Sequence, residues 1–246
     1  VTGSLFLPGV PETYVRERLE KAGGNEIESG KFASPESSAA LAANAFGWFV
    51  RRPGQLPVLP GMGHIGQPQK VEIEYCAGFP WAGGRQPWLD AAIITETHLV
   101  GLESKRFEPF RDAKKANFSS AYDRPVWGDR MGRYSALRDA LRSGMLSYRH
   151  LDAAQLVKHA YGLVTQGRRI GLKPCLFYIY AEPTARGKAA ITPEVHARHR
   201  SEIADFNDRV SGDEVEFGAA GYREWLAGAS GEVVGHKDTL ARQFEL

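Results

Sequence analysis

The chain has 246 residues, 31 Lys+Arg against 29 Asp+Glu, a formal charge of +2 and 43% apolar residues; this is ordinary globular composition, enough for one domain with a sizeable core. No apolar run approaches the roughly 20 residues of a membrane span, and the start, Val1-Thr-Gly-Ser-Leu-Phe-Leu-Pro, lacks the basic and long apolar regions of a secretory signal. Cys76 and Cys175 are too few for a disulfide framework, so a cytoplasmic protein with reduced thiols and no membrane partner is expected.

Pro11 to Ala22 reads as a short charged helix stopped by Gly23-Gly24. Ser34-Pro35-Glu36 has the pattern of a helix start, a capping serine and then proline at the first helical position. The alanine-rich run behind it reaches Phe49 or Val50, and Arg51-Arg52-Pro53-Gly54 breaks it. After a Gly/Pro-rich loop, Lys70–Cys76 alternates as a half-buried strand. Leu89–Thr95 and Leu99–Lys105 follow as two strands joined so tightly that they form a hairpin. A basic stretch is expected to be irregular until Asp152, which caps a helix with Leu151, Ala154, Val157, Ala160, Tyr161 and Val164 on one face and its end at Gly167. Cys175–Tyr180 is a nearly continuous apolar run, as in a strand buried on both faces. Glu194–Val210 and Tyr222–Leu226 read as helices.

The near-zero net charge hides an asymmetry. Residues 105–181 hold 15 Lys+Arg and 6 Asp+Glu, which leaves 16 against 23 for the remainder. Two readings stand: a surface built for a polyanion, or basic residues scattered over helical faces.

Several motifs fail their context. Gly61-Met-Gly63-His-Ile-Gly66 fits the dinucleotide-binding pattern but follows prolines and precedes a strand, the reverse of what that loop requires. Gly30-Lys31 lacks a glycine at phosphate-loop spacing and carries Phe32 where Ser/Thr would hold a metal. His196 and His199 lie three apart on a helix with no third metal ligand near in sequence, so solvated helix residues are expected there.

Glu103-Ser104-Lys105 passes. On a strand, residues two apart share a face, so the carboxylate and ammonium project together. Asp90, on the preceding strand, returns beside Glu103 across the hairpin when the loop has two or four residues. Two carboxylates suit Mg²⁺, with Mn²⁺ as a substitute, which polarises a phosphoryl oxygen and acidifies a bound water. The lysine orients that water or neutralises charge developing on phosphorus. Asp90 and Glu103 are the expected metal ligands. Glu74 is a further candidate whose other reading is a solvent-facing residue, and Glu26 a weaker one. Asp112-Ala113-Lys114 has the same spacing but no strand pattern. A cross-strand salt bridge is the plain alternative for the trio.

This order of elements (helix, three strands with Asp on the second and Glu-x-Lys on the third, helix, strand) resembles the PD-(D/E)XK nuclease superfamily over roughly residues 34–181. Trp88-Leu89-Asp90 with Leu102-Glu103-Ser104-Lys105-Arg106-Phe107-Glu108-Pro109 is similar to uncharacterised bacterial members, although the nearest proline before Asp90 is Pro87. Some branches carry glutamine and, four residues on, tyrosine on the following helix; here these are Gln155 and His159. The resemblance implies an α/β restriction-endonuclease-like core, a mixed sheet flanked by helices. A helical addition over about 190–246 completes one domain. It also implies a metal-dependent DNA endonuclease with Asp90, Glu103, Lys105 and Gln155 at the centre.

Lys158, Arg168 and Arg169, with no acid between Ala153 and Ala181, are the expected nucleic-acid contacts. Tyr122, Trp127 and Tyr134 are read either as stacking residues or as minor core. DNA is the expected partner, RNA stays open, and a homodimer would suit double-strand cutting. The alternatives are a non-catalytic nucleic-acid-binding module on the same fold and a small-molecule enzyme using the Gly61–Gly66 loop.

Overall fold

The computed structural model describes residues 5–113 and 115–246; Lys114, part of the second acid-x-lysine triplet, lies outside them. Helix α1 (Glu12–Lys21) is followed by α2 (Ser38–Gly47). The second helix starts later than expected. Ser37 is its cap, accepting from the Ala40 N–H at 3.0 Å, while Ser34 closes a turn by accepting from Glu36. The Arg106 guanidinium takes the Pro35 carbonyl, which holds that turn outside the helix.

Strands β1 (Lys70–Cys76), β2 (Trp88–Ile94) and β3 (His98–Lys105) form an antiparallel meander. The β2–β3 turn is tight: Thr95 N–H donates to His98 O at 3.0 Å, and Thr95 Oγ1 accepts from the His98 N–H. The stretch expected to be irregular contains α3 (Gly132–Ser143), whose buried Tyr134, Leu137 and Leu141 follow helical spacing. Next come α4 (Ala153–Ile170) and β4 (Lys173–Tyr180).

Helix α4 is capped as expected by Asp152, which accepts from the Gln155 N–H at 3.0 Å, but it does not stop at Gly167. It ends one turn later at Gly171, in the left-handed conformation that glycine adopts without strain. Gly167 serves packing instead: a Cβ there would come within 2.7 Å of Leu172 O.

Two-residue strands β5 (Ala185–Arg186) and β6 (Ala189–Ala190) form a small ribbon ahead of α5 (Pro193–Val210). The C-terminal portion, expected to be a helical addition, also contributes β7 (Glu216–Gly221) to the main sheet, before α6 (Tyr222–Ala227) and α7 (Val233–Phe244).

The main sheet has the order β1-β2-β3-β4-β7, antiparallel through β3 and parallel from β3 to β7. It is therefore a mixed five-stranded α/β sheet with a helical layer on each face. Helices α1, α2, α6 and α7 cover the face of Val71, Ile73, Ala91, Val100, Leu102 and Phe177. The other face, with Tyr75, Leu89, Leu99, Leu176 and Tyr178, packs against α3, α4 and α5. Both sides of β4 are buried, so its apolar run need not alternate. Among the described residues no helix is long and apolar enough to cross a membrane.

Candidate active site

The register of the hairpin decides the geometry. Ala91 pairs with Leu102 and Ile94 with Leu99, so one step further Asp90 stands opposite Glu103. In the parallel pairing, Glu103 lies beside Tyr178 and Lys105 beside Tyr180, residues of the α4-facing layer. Ser104 points the other way and shares a 2.7 Å hydrogen bond with the Tyr222 hydroxyl. Asp90, Glu103 and Lys105 thus meet at one end of the sheet. Asp90 Oδ2 accepts from the Ser104 N–H at 2.6 Å where the backbone ladder with β3 stops.

Sheet alternation breaks at this point in both neighbouring strands. On β1, Val71 and Ile73 face α2, yet Tyr75 faces α4; on β2, Leu89 faces α4 and Ala91 faces α2. The residues at the reversals are Glu74 and Asp90. Glu74 has φ +49°, an uncommon left-handed conformation for a side-chain-bearing residue. Arg18 holds the twisted segment by donating to Ile73 O at 2.8 Å and Glu74 O at 2.6 Å. Backbone strain of this kind persists only where surrounding structure enforces it, and it collects at functional sites. Here it brings Glu74 into the electrostatic neighbourhood of Asp90 and Glu103.

Glu103 is only 2% exposed. Its Oε1 binds the Lys105 ammonium, and its Oε2 lies 2.9 Å from His159 Nε2. The His159 contact is close but poorly aimed, and neither ring nitrogen of this buried histidine makes a well-directed hydrogen bond. Burial works to raise the Glu103 pKa, but Lys105 and then His159 outweigh it and hold the carboxyl at about 2. Burial also opposes the Lys105 charge, yet Glu103 and Asp90 together raise its pKa, which favours the ammonium form.

The other acids are pushed the opposite way. Burial and the Glu103 charge raise the Asp90 pKa well above the usual range, with Lys105 offsetting part of the effect. Burial, Glu26 and Glu103 lift Glu74 to about 8. Glu26 Oε2 is itself buried without a hydrogen-bond partner. Among the described residues, the Lys105 ammonium and the Arg18 guanidinium therefore face the carboxyl groups of Glu26, Glu74, Asp90 and Glu103. Among the described residues no three His, Cys, Asp or Glu side chains stand as a ready-made metal cage. The donor chemistry of Glu74, Asp90 and Glu103 nonetheless fits a hard divalent cation, since all three present oxygen and two are held back from ionising by burial and then by neighbouring charge.

Glu108, which the sequence offers only as part of the stretch behind Lys105 and not as a site candidate, belongs to this group. It accepts from Ser38 Oγ and from the Arg106 N–H at 3.0 Å. Despite burial, Lys105 and these hydrogen bonds keep its pKa low. Its signal in the sequence, an acid three residues beyond Lys105, is too common to single out.

The remaining candidates spread along α4. Gln155 stands one turn before His159, and its backbone N–H is taken by Asp152; no contact joins its side chain to the acids among the described residues. Lys158 turns onto the Phe118 and Tyr122 rings, 5.3 and 5.9 Å from their centroids, and burial lowers its pKa. Arg168 and Arg169 are not brought to the site. They occupy the far end of α4, where Arg168 forms a two-point ion pair with Glu214 and Arg169 binds Gln166. The acid-free run in the sequence did not reveal Glu214, which arrives from the loop before β7.

His196 and His199 are buried, not solvated: they pack on Phe110, and His199 meets the Tyr178 hydroxyl at 3.0 Å. Trp127 and Tyr134 are core residues, with Trp127 stacked on Tyr161 at 4.2 Å. A cavity of about 670 Å³ lies at the opposite end of β4, by Lys173 and Cys175, away from the acids. A smaller one opens at Lys105, Glu108, Arg149, His150, Asp152 and Tyr178.

In comparisons with known proteins, no family model, curated protein or solved structure matches this chain.

Proposed function

We propose that the chain is a metal-dependent phosphodiesterase that cleaves DNA, most simply as an endonuclease on a restriction-endonuclease-like core. The observation that carries the reading is the convergence of Asp90, Glu103 and a permanently charged Lys105 at one end of a mixed sheet, beside a strained Glu74. The surplus of buried carboxylates supports it, because the cluster sheds that charge either by keeping protons on Glu74 and Asp90 or by binding a cation.

Glu74, Asp90 and Glu103 would hold the cation. When bound, Mg²⁺ supplies Lewis acidity toward a phosphoryl oxygen and lowers the pKa of a coordinated water. Lys105 keeps its proton and offers it as a hydrogen-bond donor to negative charge developing on the phosphoryl group. Lys105 binds one oxygen of Glu103 while the His159 ring lies 2.9 Å from the other, which limits the rotation of a donor that must point one way. Asp90 is anchored through the Ser104 N–H. Arg18 sets the backbone that aims Glu74.

The test is incubation of the chain with supercoiled plasmid, single-stranded DNA and RNA in Mg²⁺, Mn²⁺ or EDTA, beside Glu103→Gln. Metal-dependent nicking lost in Glu103→Gln is expected. Binding of DNA without cleavage in either metal would leave the non-catalytic module as the better reading, and equal cleavage by Glu103→Gln would refute the site.

A further inference from the structure

We infer that nucleic-acid phosphates are carried by a basic groove at the N-terminal end of α4, walled by Lys115, Arg142, Arg149 and Arg198, and not by the arginines at its C-terminal end. This inference rests on the nuclease reading for its ligand class. The groove has about 680 Å³ of open volume. It runs between the loop after β3, the end of α3, the loop that enters α4, and α5. Four cations line it against one acid, Asp152.

Adjacency to Lys105 and Glu108 is the main argument. Arg149, Leu151 and Asp152 line both this groove and the smaller cavity that reaches Lys105 and Glu108. The cavity at Lys105 and Glu108 holds only about 20 Å³, so a phosphodiester strand lying in the groove passes beside the Lys105 ammonium without entering the acid cluster. The 670 Å³ cavity at the other end of β4 has no such connection, sharing no lining residue with the cavity at Lys105.

The loop that presents Arg149 is also fixed in advance. Glu202 on α5 accepts from three successive backbone N–H groups, those of Arg149, His150 and Leu151, at 2.9, 2.7 and 3.0 Å. That carboxylate is thereby used by the loop, and its contact to Arg198 is a longer 3.5 Å. Arg198 is 66% exposed. Arg149 donates to a backbone carbonyl, that of Arg111, at 2.6 Å. Lys115 has no ion-pair partner among the described residues. Arg142 is half committed, paired with the exposed Asp123 at 2.6 Å. Arg168 differs from all of these, because its guanidinium is already matched by both oxygens of Glu214. Cations whose charge is not internally neutralised are those that release counterions productively on meeting phosphate.

The experiment measures affinity for a labelled duplex and a labelled single strand over a salt series, with Ca²⁺ replacing Mg²⁺ to prevent turnover, beside plasmid cleavage in Mg²⁺. The variants are Lys115→Gln/Arg149→Gln/Arg198→Gln, three exposed positions, and Arg168→Ala/Arg169→Ala; thermal melting verifies that both fold. If each of the three cations meets one phosphate, the slope of log affinity against log salt falls by about 2.7 on duplex and about 2 on single strand. An unchanged slope in the triple variant, or a loss appearing instead in Arg168→Ala/Arg169→Ala, overturns the groove while wild-type cleavage leaves the nuclease reading standing. A wild-type chain that neither binds nor cleaves any nucleic acid removes both.

Discussion

Replacing Glu74 by glutamine should stabilise the protein, and increasingly so as pH rises. Burial and the charges of Glu26 and Glu103 lift this carboxyl from an ordinary 4.5 to about 8. The folded state thus binds the Glu74 proton more tightly than the unfolded chain does. Stability from that proton is fully present below about pH 4.5 and is lost as pH climbs through 8. Each pH unit across that window is worth about 1.4 kcal/mol, so the wild-type chain loses on the order of 5 kcal/mol from this group. Glutamine keeps the shape and has no proton to lose, and its neutrality also relieves Asp90, whose pKa Glu74 helps to raise.

Urea unfolding between about pH 5 and 9 in EDTA checks this. The stability difference between Glu74→Gln and wild type should widen steadily toward alkaline pH. Adding Mg²⁺ should then recover wild-type stability at high pH and do little for the variant, because a cation that binds only the folded acids stabilises by mass action. Parallel pH curves for the two proteins would refute the buried-acid argument. A pH slope unaffected by the metal in wild type would remove Glu74 from the metal-binding set.

Lys105→Ala should abolish cleavage and, by leaving Glu103 buried without its ammonium, destabilise the fold by about 3–5 kcal/mol; melting curves and a plasmid assay on the folded variant check both. Tyr222→Phe removes the partner of a buried Ser104 hydroxyl and should cost about 1–3 kcal/mol in urea unfolding. Gly162→Ala places a Cβ 2.3 Å from Ala77 O, a backbone atom that cannot rotate away, and should cost at least the 1–3 kcal/mol typical of overpacking. Gly101→Ala meets only the ends of Leu89 and Leu163 and should be the milder of the two.

Periodicity of two and the short β2–β3 connection were enough to bring Asp90, Glu103 and Lys105 together on paper, because strand register is local and one residue of slip would expose a buried face. The cap of α4 and the buried apolar run of β4 were legible for the same reason: each depends on neighbours within a few positions. The reversal of the pleat at Glu74 was not. It rests on Arg18, 55 and 56 positions away, taking carbonyls that a regular strand would keep.

Nor could spacing identify β7, whose short Gly- and Ala-rich sequence becomes a strand only because β4 offers it an open edge. The same limit governs charge. Counting acids along α4 suggested free arginines at its end, but Glu214 returns from 46 positions away to neutralise Arg168, while Arg149, unremarked in the sequence, is held at the mouth of the site by Glu202. Sequence determined which groups share a strand or a helix; only the tertiary structure decided which charges pair, since Coulomb attraction depends on distance in space and on burial, neither of which follows from separation along the chain.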